Sequence, residues 1–299
     1  MKRTAPVGGL LLLCLLWAGA ALRSDLLPVS GGAGAAGLAG QAIALALFAL
    51  AAGLAALLRR AEWPSGRQLA AAAMVGIGLF AAPALVLEFA RVEIGDSTRV
   101  ALFSLTPVFA VVLEPYFGAG GERRGGLAAG LTAVAGTLLL FPLDLPQTAA
   151  AALAWGAVIA AVIGIAAANC FAVRMVCTQT AGELPGFAAV AAGCAAFLVG
   201  AAGVVMERKA AVRVDIWIVV EMASLALLFG LMRHLSAVRM TTRFVIAPLM
   251  ANLIGLAFLR PTVNLRDWAG LLLIALGAGW LLLARDDEPE RTGSSLEIT

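Results

Sequence analysis

Charge is scarce in this sequence. Only 13% of its 299 residues are Asp, Glu, Lys or Arg, where a soluble domain carries about a quarter. Histidine occurs once, at His234, and the four cysteines (Cys14, Cys170, Cys177 and Cys194) form no CxxC pair. That leaves no donor set for a zinc or haem site, so no metal or other cofactor is expected, and the cysteines read as small hydrophobes packed among helices. With one histidine there is no HExxH and no serine–histidine set, which argues against an enzyme. The formal charge is +3, with the basic residues dispersed among turns, and no patch is dense enough to make nucleic acid a partner.

What the chain has instead is apolar length. Hydrophobic residues make up 62% of it and the mean hydropathy is +0.98. Several stretches exceed the ~20 apolar residues that cross a bilayer. The sequence predicts an all-α polytopic membrane protein whose first partner is the lipid bilayer.

One stretch occurs twice. Asp96 to Pro142 and Ala237 to Leu283 align without a gap, matching at Phe103/Phe244, Pro107/Pro248, Ala110/Ala251, Phe117/Phe258, Ala128/Ala269, Leu131/Leu272 and Gly136/Gly277. Each copy is an apolar helix with an internal proline, a polar turn, and a second helix rich in Gly and Ala. The registered prolines and glycines carry the most weight, because each fixes backbone geometry.

Taken in order, the apolar runs predict ten transmembrane helices. They cover about Pro6–Leu22, Gly34–Leu58, Leu69–Ala90, Ser97–Phe117, Gly126–Phe141, Ala149–Val173, Leu184–Met206, Ile216–Leu235, Ala237–Leu259 and Trp268–Ala284. Met1-Lys2-Arg3 with Ala18-Gly19-Ala20 also fits a cleaved signal peptide, but cleavage would leave one half a helix short, and the retained helix is favoured. The division is 1–145 for the first five-helix repeat, 146–285 for the second, and 286–299 for a polar, disordered tail. Five helices per repeat, an odd number, invert the second copy relative to the first, the pattern of secondary transporters. Arg59, Arg60, Arg67, Arg123 and Arg124 bias one set of turns, which places both termini in the cytoplasm. Abundant Ala, Gly and Arg suit a GC-rich bacterium, hence an inner-membrane location.

The Trp17-Ala-Gly run, Ser97 to Val112 with Pro107, His234-Leu-Ser-Ala-Val-Arg239, Pro248 and Leu273-Ile-Ala-Leu-Gly277 together resemble EamA-like transporters of the drug/metabolite transporter superfamily. The likeness spans about Leu11 to Leu283. It implies alternating-access transport, usually export, of a small metabolite, amino acid or drug, with the site between the repeats. The chain departs from many relatives in having Gln41 as the nearest polar residue where helix two carries an arginine. It also has Leu259-Arg260-Pro261 where a Gly-Glu pair follows helix nine. The alternative reading is a non-transporting membrane scaffold or subunit.

A charge deep in hydrocarbon costs about 2.5 kcal/mol or more and needs a partner or a watery cavity. Glu221, with Ser224 on its face, is a candidate coupling carboxylate or amine ligand, or else a carboxylate reaching the interface or pairing with an arginine. Arg243 would hold a substrate carboxylate, neutralise Glu221, or snorkel to headgroups. Glu114 points to pairing with Arg123 or Arg124, and Glu88, with Arg91 three residues on, is expected to be solvated. Pro107 and Pro248 are hinges, cavity walls or static kinks. Asn169, Asn252 and Gln41 are neutral cavity groups, and Trp17 is packing or cavity wall.

Overall fold

The computed structural model describes residues 4–26, 37–118, 123–206, 217–259 and 264–283. The polar tail 286–299 and the charged turn around Arg208, Lys209 and Arg213 lie outside them. The regular structure of the described residues is all helical, with no strand among them. Eight helices are long and apolar enough to cross a membrane, and two shorter apolar helices, Gly125–Leu140 and Trp217–Leu231, accompany them. The protein is a multi-pass α-helical membrane protein. Its outward faces fit that setting: Leu50, Leu58, Phe197, Val204 and Phe258 are all largely exposed, as lipid-facing side chains are.

The first half of the chain contains α1 (Thr4–Leu26), α2 (Leu38–Leu58), α3 (Arg67–Gly76), α4 (Ala82–Ala90), α5 (Asp96–Phe103), α6 (Thr106–Leu113) and α7 (Arg123–Leu140). The second contains α8 (Ala149–Thr178), α9 (Leu184–Met206), α10 (Trp217–Leu231), α11 (Ala237–Thr241), α12 (Arg243–Leu259) and α13 (Leu265–Leu283). Several boundaries differ from the hydropathy reading. The helix expected to stop at Val173 runs on to Thr178, because its polar end is still helix-forming and Arg174 finds an acceptor in the Phe117 carbonyl at 3.1 Å. At 30 residues α8 is about 45 Å long, so it tilts or projects beyond a ~30 Å hydrocarbon layer. In contrast α10 stops at Leu231, where a turn carries the chain through Met232 to Ser236.

Prolines break what hydropathy reads as continuous spans. In Arg67–Ala90 a π-helical turn at Ile77–Ala81 joins α3 to α4. It lies just before Pro83, whose ring would otherwise meet the carbonyl four residues back. In Asp96–Phe117 the α-helix is interrupted at Ser104–Leu105, and Pro107 falls in the first turn of α6. Pro107 is therefore a helix-start proline, not the mid-helix one the sequence suggests. The carbonyl it leaves free, that of Phe103, accepts the Thr106 hydroxyl at 2.6 Å. In Ala237–Phe258 the interruption comes earlier, at Thr242, and Pro248 does lie inside α12.

The halves interlock in a reciprocal way. Helix α2 packs on α9, and α7 on α13; α1 meets α10 and α12, while α8 meets α4 and α6. Exchanging the halves maps this set of pairings onto itself. At the α7–α13 crossing the reciprocity reaches single residues. A Cβ on Gly136 would lie 2.6 Å from Ile274 N and 2.7 Å from Gly270 O; one on Gly277 would lie 2.5 Å from Ala133 N and 2.6 Å from Ala129 O. Ala129, Ala133 and Gly136 align with Gly270, Ile274 and Gly277 in the internal repeat. Contacts that exchange in this manner are what a two-fold relation produces, and the backbones approach this closely only because glycine has no side chain there.

Candidate functional site

A cavity of about 370 Å³ lies between the halves. Its wall takes Gln41 and Ala44 from the start of α2, Pro83 and Leu87 from α4, and Glu221 and Ser224 from α10. These belong to the turns near the face where α1 ends and α2 begins. Arg243 and Phe244, at the start of α12, reach it from the opposite direction and form its floor. Beyond that floor the molecule is packed shut: Met232, Met240, Thr241 and Thr242 are all fully buried. The cavity is thus occluded on the side of Arg243.

Arg243 dominates the electrostatics. It is only 2% exposed, which removes the headgroup role as an alternative. One nitrogen, Nη1, donates to Asn169 Oδ1 at 3.0 Å and to the Met240 carbonyl at 2.7 Å. Asn169 is held for this task by its own Nδ2, which donates to the Ile165 carbonyl at 2.8 Å. The guanidinium carbon sits 4.6 Å from the Phe244 ring centroid and 5.4 Å from that of Trp17, a distance at which ring quadrupoles attract a cation. Arg243 Nε is buried with no hydrogen-bond partner. Among the described residues Arg243 forms no salt bridge; the ion pairs there join Arg91 to Glu88 at 3.6 Å and Arg99 to Asp96.

The rest of the wall is apolar and aromatic. Trp17 meets Phe244 edge-on at 6.0 Å, and Phe103 meets Phe244 at the same centroid distance. Phe103 and Phe244 are the registered aromatics of the internal repeat, so the two copies touch each other in the cavity wall. Their registration was the signal for a site role, and reading them only as repeat markers missed it. Phe80 was also missed; it lies within the π turn and has no motif around it.

Of the residues singled out from sequence, Trp17, Gln41, Glu221, Ser224 and Arg243 line the cavity. Asn169 lies directly behind Arg243. Asn252 is absent from the wall, its Nδ2 donating to the Pro248 carbonyl at 2.9 Å within α12. Ser224 Oγ donates to the Val220 carbonyl at 2.8 Å and keeps its lone pairs for an incoming donor. Glu114 is buried away from the cavity; the side chains of Arg123 and Arg124, its expected partners, lie outside the described residues. No cluster of His, Cys, Asp or Glu suited to a metal occurs among the described residues.

No family model matches this sequence, and no curated protein is significantly similar to it. Solved structures do match in fold. One, described only as the crystal structure of a protein, superposes with a TM-score of 0.74 over 95% of this chain and 100% of its own, at 15% identity. At that identity the likeness extends to the fold alone.

Proposed function

We propose that the protein is a secondary transporter that moves a small organic solute (a metabolite, amino acid or drug) by alternating access, as its resemblance to EamA-like transporters implies. The observation that carries this reading is the cavity lined by both halves, with a buried cation at one end that forms no salt bridge among the described residues. A buried cation without a counter-ion is costly in a structural protein, and it is well placed to meet a ligand. Cavities of this size suit small molecules. Ten spans arranged as two inverted five-helix repeats account for the reciprocal pairing of α2 with α9 and α7 with α13. Binding near the interface of such repeats is how they alternate access. With both termini in the cytoplasm of a bacterial cell, the cavity opens outward in this state, and Glu221 is positioned to couple export to the proton gradient.

The test is solute flux in proteoliposomes holding the purified full-length protein. Gradient-driven movement of any one solute class, lost in Arg243→Ala, is the expected result. Glu221→Gln retaining full gradient-driven transport would remove the coupling role and leave the rest. Folded protein that moves nothing from a broad panel of amino acids, organic acids, sugars and cationic drugs would favour the scaffold reading.

A further inference from the structure

The hydrogen bonding of Arg243 is lopsided, and the lopsidedness carries chemical information. A guanidinium offers five N–H groups in a planar fork. Both hydrogens of Nη1 are committed to protein acceptors, Asn169 Oδ1 and the Met240 carbonyl. Nε has no acceptor, and Nη2 makes no hydrogen bond among the described residues. What remains is the Nε–Nη2 edge, one of the two edges of the fork that match the paired oxygens of a carboxylate. The two rings in contact with the guanidinium fix its plane, so that edge is oriented before any ligand arrives.

We infer that the cavity takes an amphipathic monocarboxylate, its carboxylate on the Nε–Nη2 edge of Arg243 and its apolar body against Trp17, Phe103 and Phe244. This rests on the transporter reading above and narrows it to a substrate class. Nε is shielded from solvent in this state, so the carboxylate engages Nη2 first and Nε as the wall closes. The charge count sets the valence. The wall supplies one cation, Arg243, which matches the single charge of a carboxylate better than the double charge of a phosphate monoester. A cationic solute is disfavoured at the floor by Arg243 itself. The aromatic wall supplies affinity to an apolar body.

The experiment measures ligand-induced thermal stabilisation of the detergent-purified full chain. The probes are a set of aromatic and branched monocarboxylates, 3-phenylpropionate among them. Each is paired with its neutral amide, and 2-phenylethylammonium and phenyl phosphate serve as the charge controls. The expected result is that at least one acid binds tenfold or more tightly than its amide and more tightly than either control. In Arg243→Lys, which keeps the charge and loses the fork, the acid–amide difference should shrink at least severalfold, with the unliganded melting temperature little changed. An amide, or the ammonium probe, binding as well as the acids would overturn the inference while leaving transport standing, as would flux of those probes alone in proteoliposomes. An acid–amide difference that persists in both Arg243→Lys and Arg243→Gln would place the carboxylate elsewhere and also overturn it. No binding by any probe to folded protein, together with no flux of any solute, would sink this inference and the transporter reading together.

Discussion

The two proline-bearing spans, Asp96–Phe117 and Ala237–Phe258, begin from the same repeated sequence and end as different devices. Both are interrupted helices, and in each the residues around the break use hydroxyls to satisfy backbone carbonyls: Ser104 and Thr106 in the first, Thr241 and Thr242 in the second. In the first span the break directly precedes Pro107, which starts a new helix; the buried charge is Glu114, remote from the cavity. In the second the break comes earlier, Pro248 stays inside α12, and the buried charge is Arg243, on the cavity floor. The repeat register puts Leu102, a buried apolar residue, at the position of Arg243. The two aligned spans share a break capped by hydroxyls, and the buried charges lie where they disagree.

The comparison is broken most severely at the glycine crossing, where the two copies still agree. Gly136→Val and Gly277→Val each drive a side chain into the facing backbone, and each should cost about 3 kcal/mol or more, the upper end for overpacking. Because their contacts are reciprocal, the two losses should be similar; thermal melts of the purified variants check this, and a loss confined to one position would contradict the two-fold relation.

Next comes the disagreement itself. Arg243→Leu gives the second copy the residue of the first. It removes a buried charge that has no salt bridge among the described residues, at the cost of the donor to Asn169 Oδ1 and to the Met240 carbonyl, so the fold should survive with a stability change within about 2 kcal/mol. Solute binding should weaken ten- to a hundredfold, the loss of a charge-assisted hydrogen-bonded contact worth about 1.5–3 kcal/mol. Titration calorimetry against the melting curve separates the two effects.

The prolines sharpen the contrast at smaller scale. Pro107 occupies a first turn, where no N–H is required, so Pro107→Ala should cost under about 1 kcal/mol and leave flux near wild type. Pro248→Ala returns a mid-helix N–H toward the carbonyl of Phe244, a cavity-wall residue, and should change the flux rate severalfold with little change in affinity. Equal flux effects at the two positions would contradict the different roles assigned to them. Trp17→Leu removes one cation–π contact, about 0.5–2 kcal/mol, read as a few-fold to about thirtyfold loss of affinity.

Much of this architecture is legible in the sequence because membrane helices announce themselves through apolar length. The internal repeat is legible because Gly136/Gly277 and Pro107/Pro248 are sparse, geometry-fixing residues. The lengths of α8 and α10 were not, since hydropathy reports solvent preference and not where backbone hydrogen bonding ends. Nor was the π turn before Pro83. At the site, Glu221 and Arg243 stood out because charge is expensive in hydrocarbon, and both line the cavity. Asn252 has the same chemistry as Asn169, yet it satisfies its own helix while Asn169 supports Arg243. No local pattern separates those two asparagines, because what distinguishes them is a partner distant in sequence. The aromatic wall was hidden for the opposite reason: apolar side chains are everywhere in this chain, so the Phe103/Phe244 register did not stand out as a site and only the fold selects Phe80.

The central claim is that a solute enters a cavity open to one face and that the wall then closes over it. The most direct measurement is the reactivity of Gln41→Cys, in a background with Cys177 and Cys194 replaced by serine, toward a membrane-impermeant maleimide on sealed, oriented vesicles. The account predicts rapid labelling from one face only, slowed at least tenfold by a transported solute. Labelling from both faces, or a rate that no transported solute changes, would contradict it.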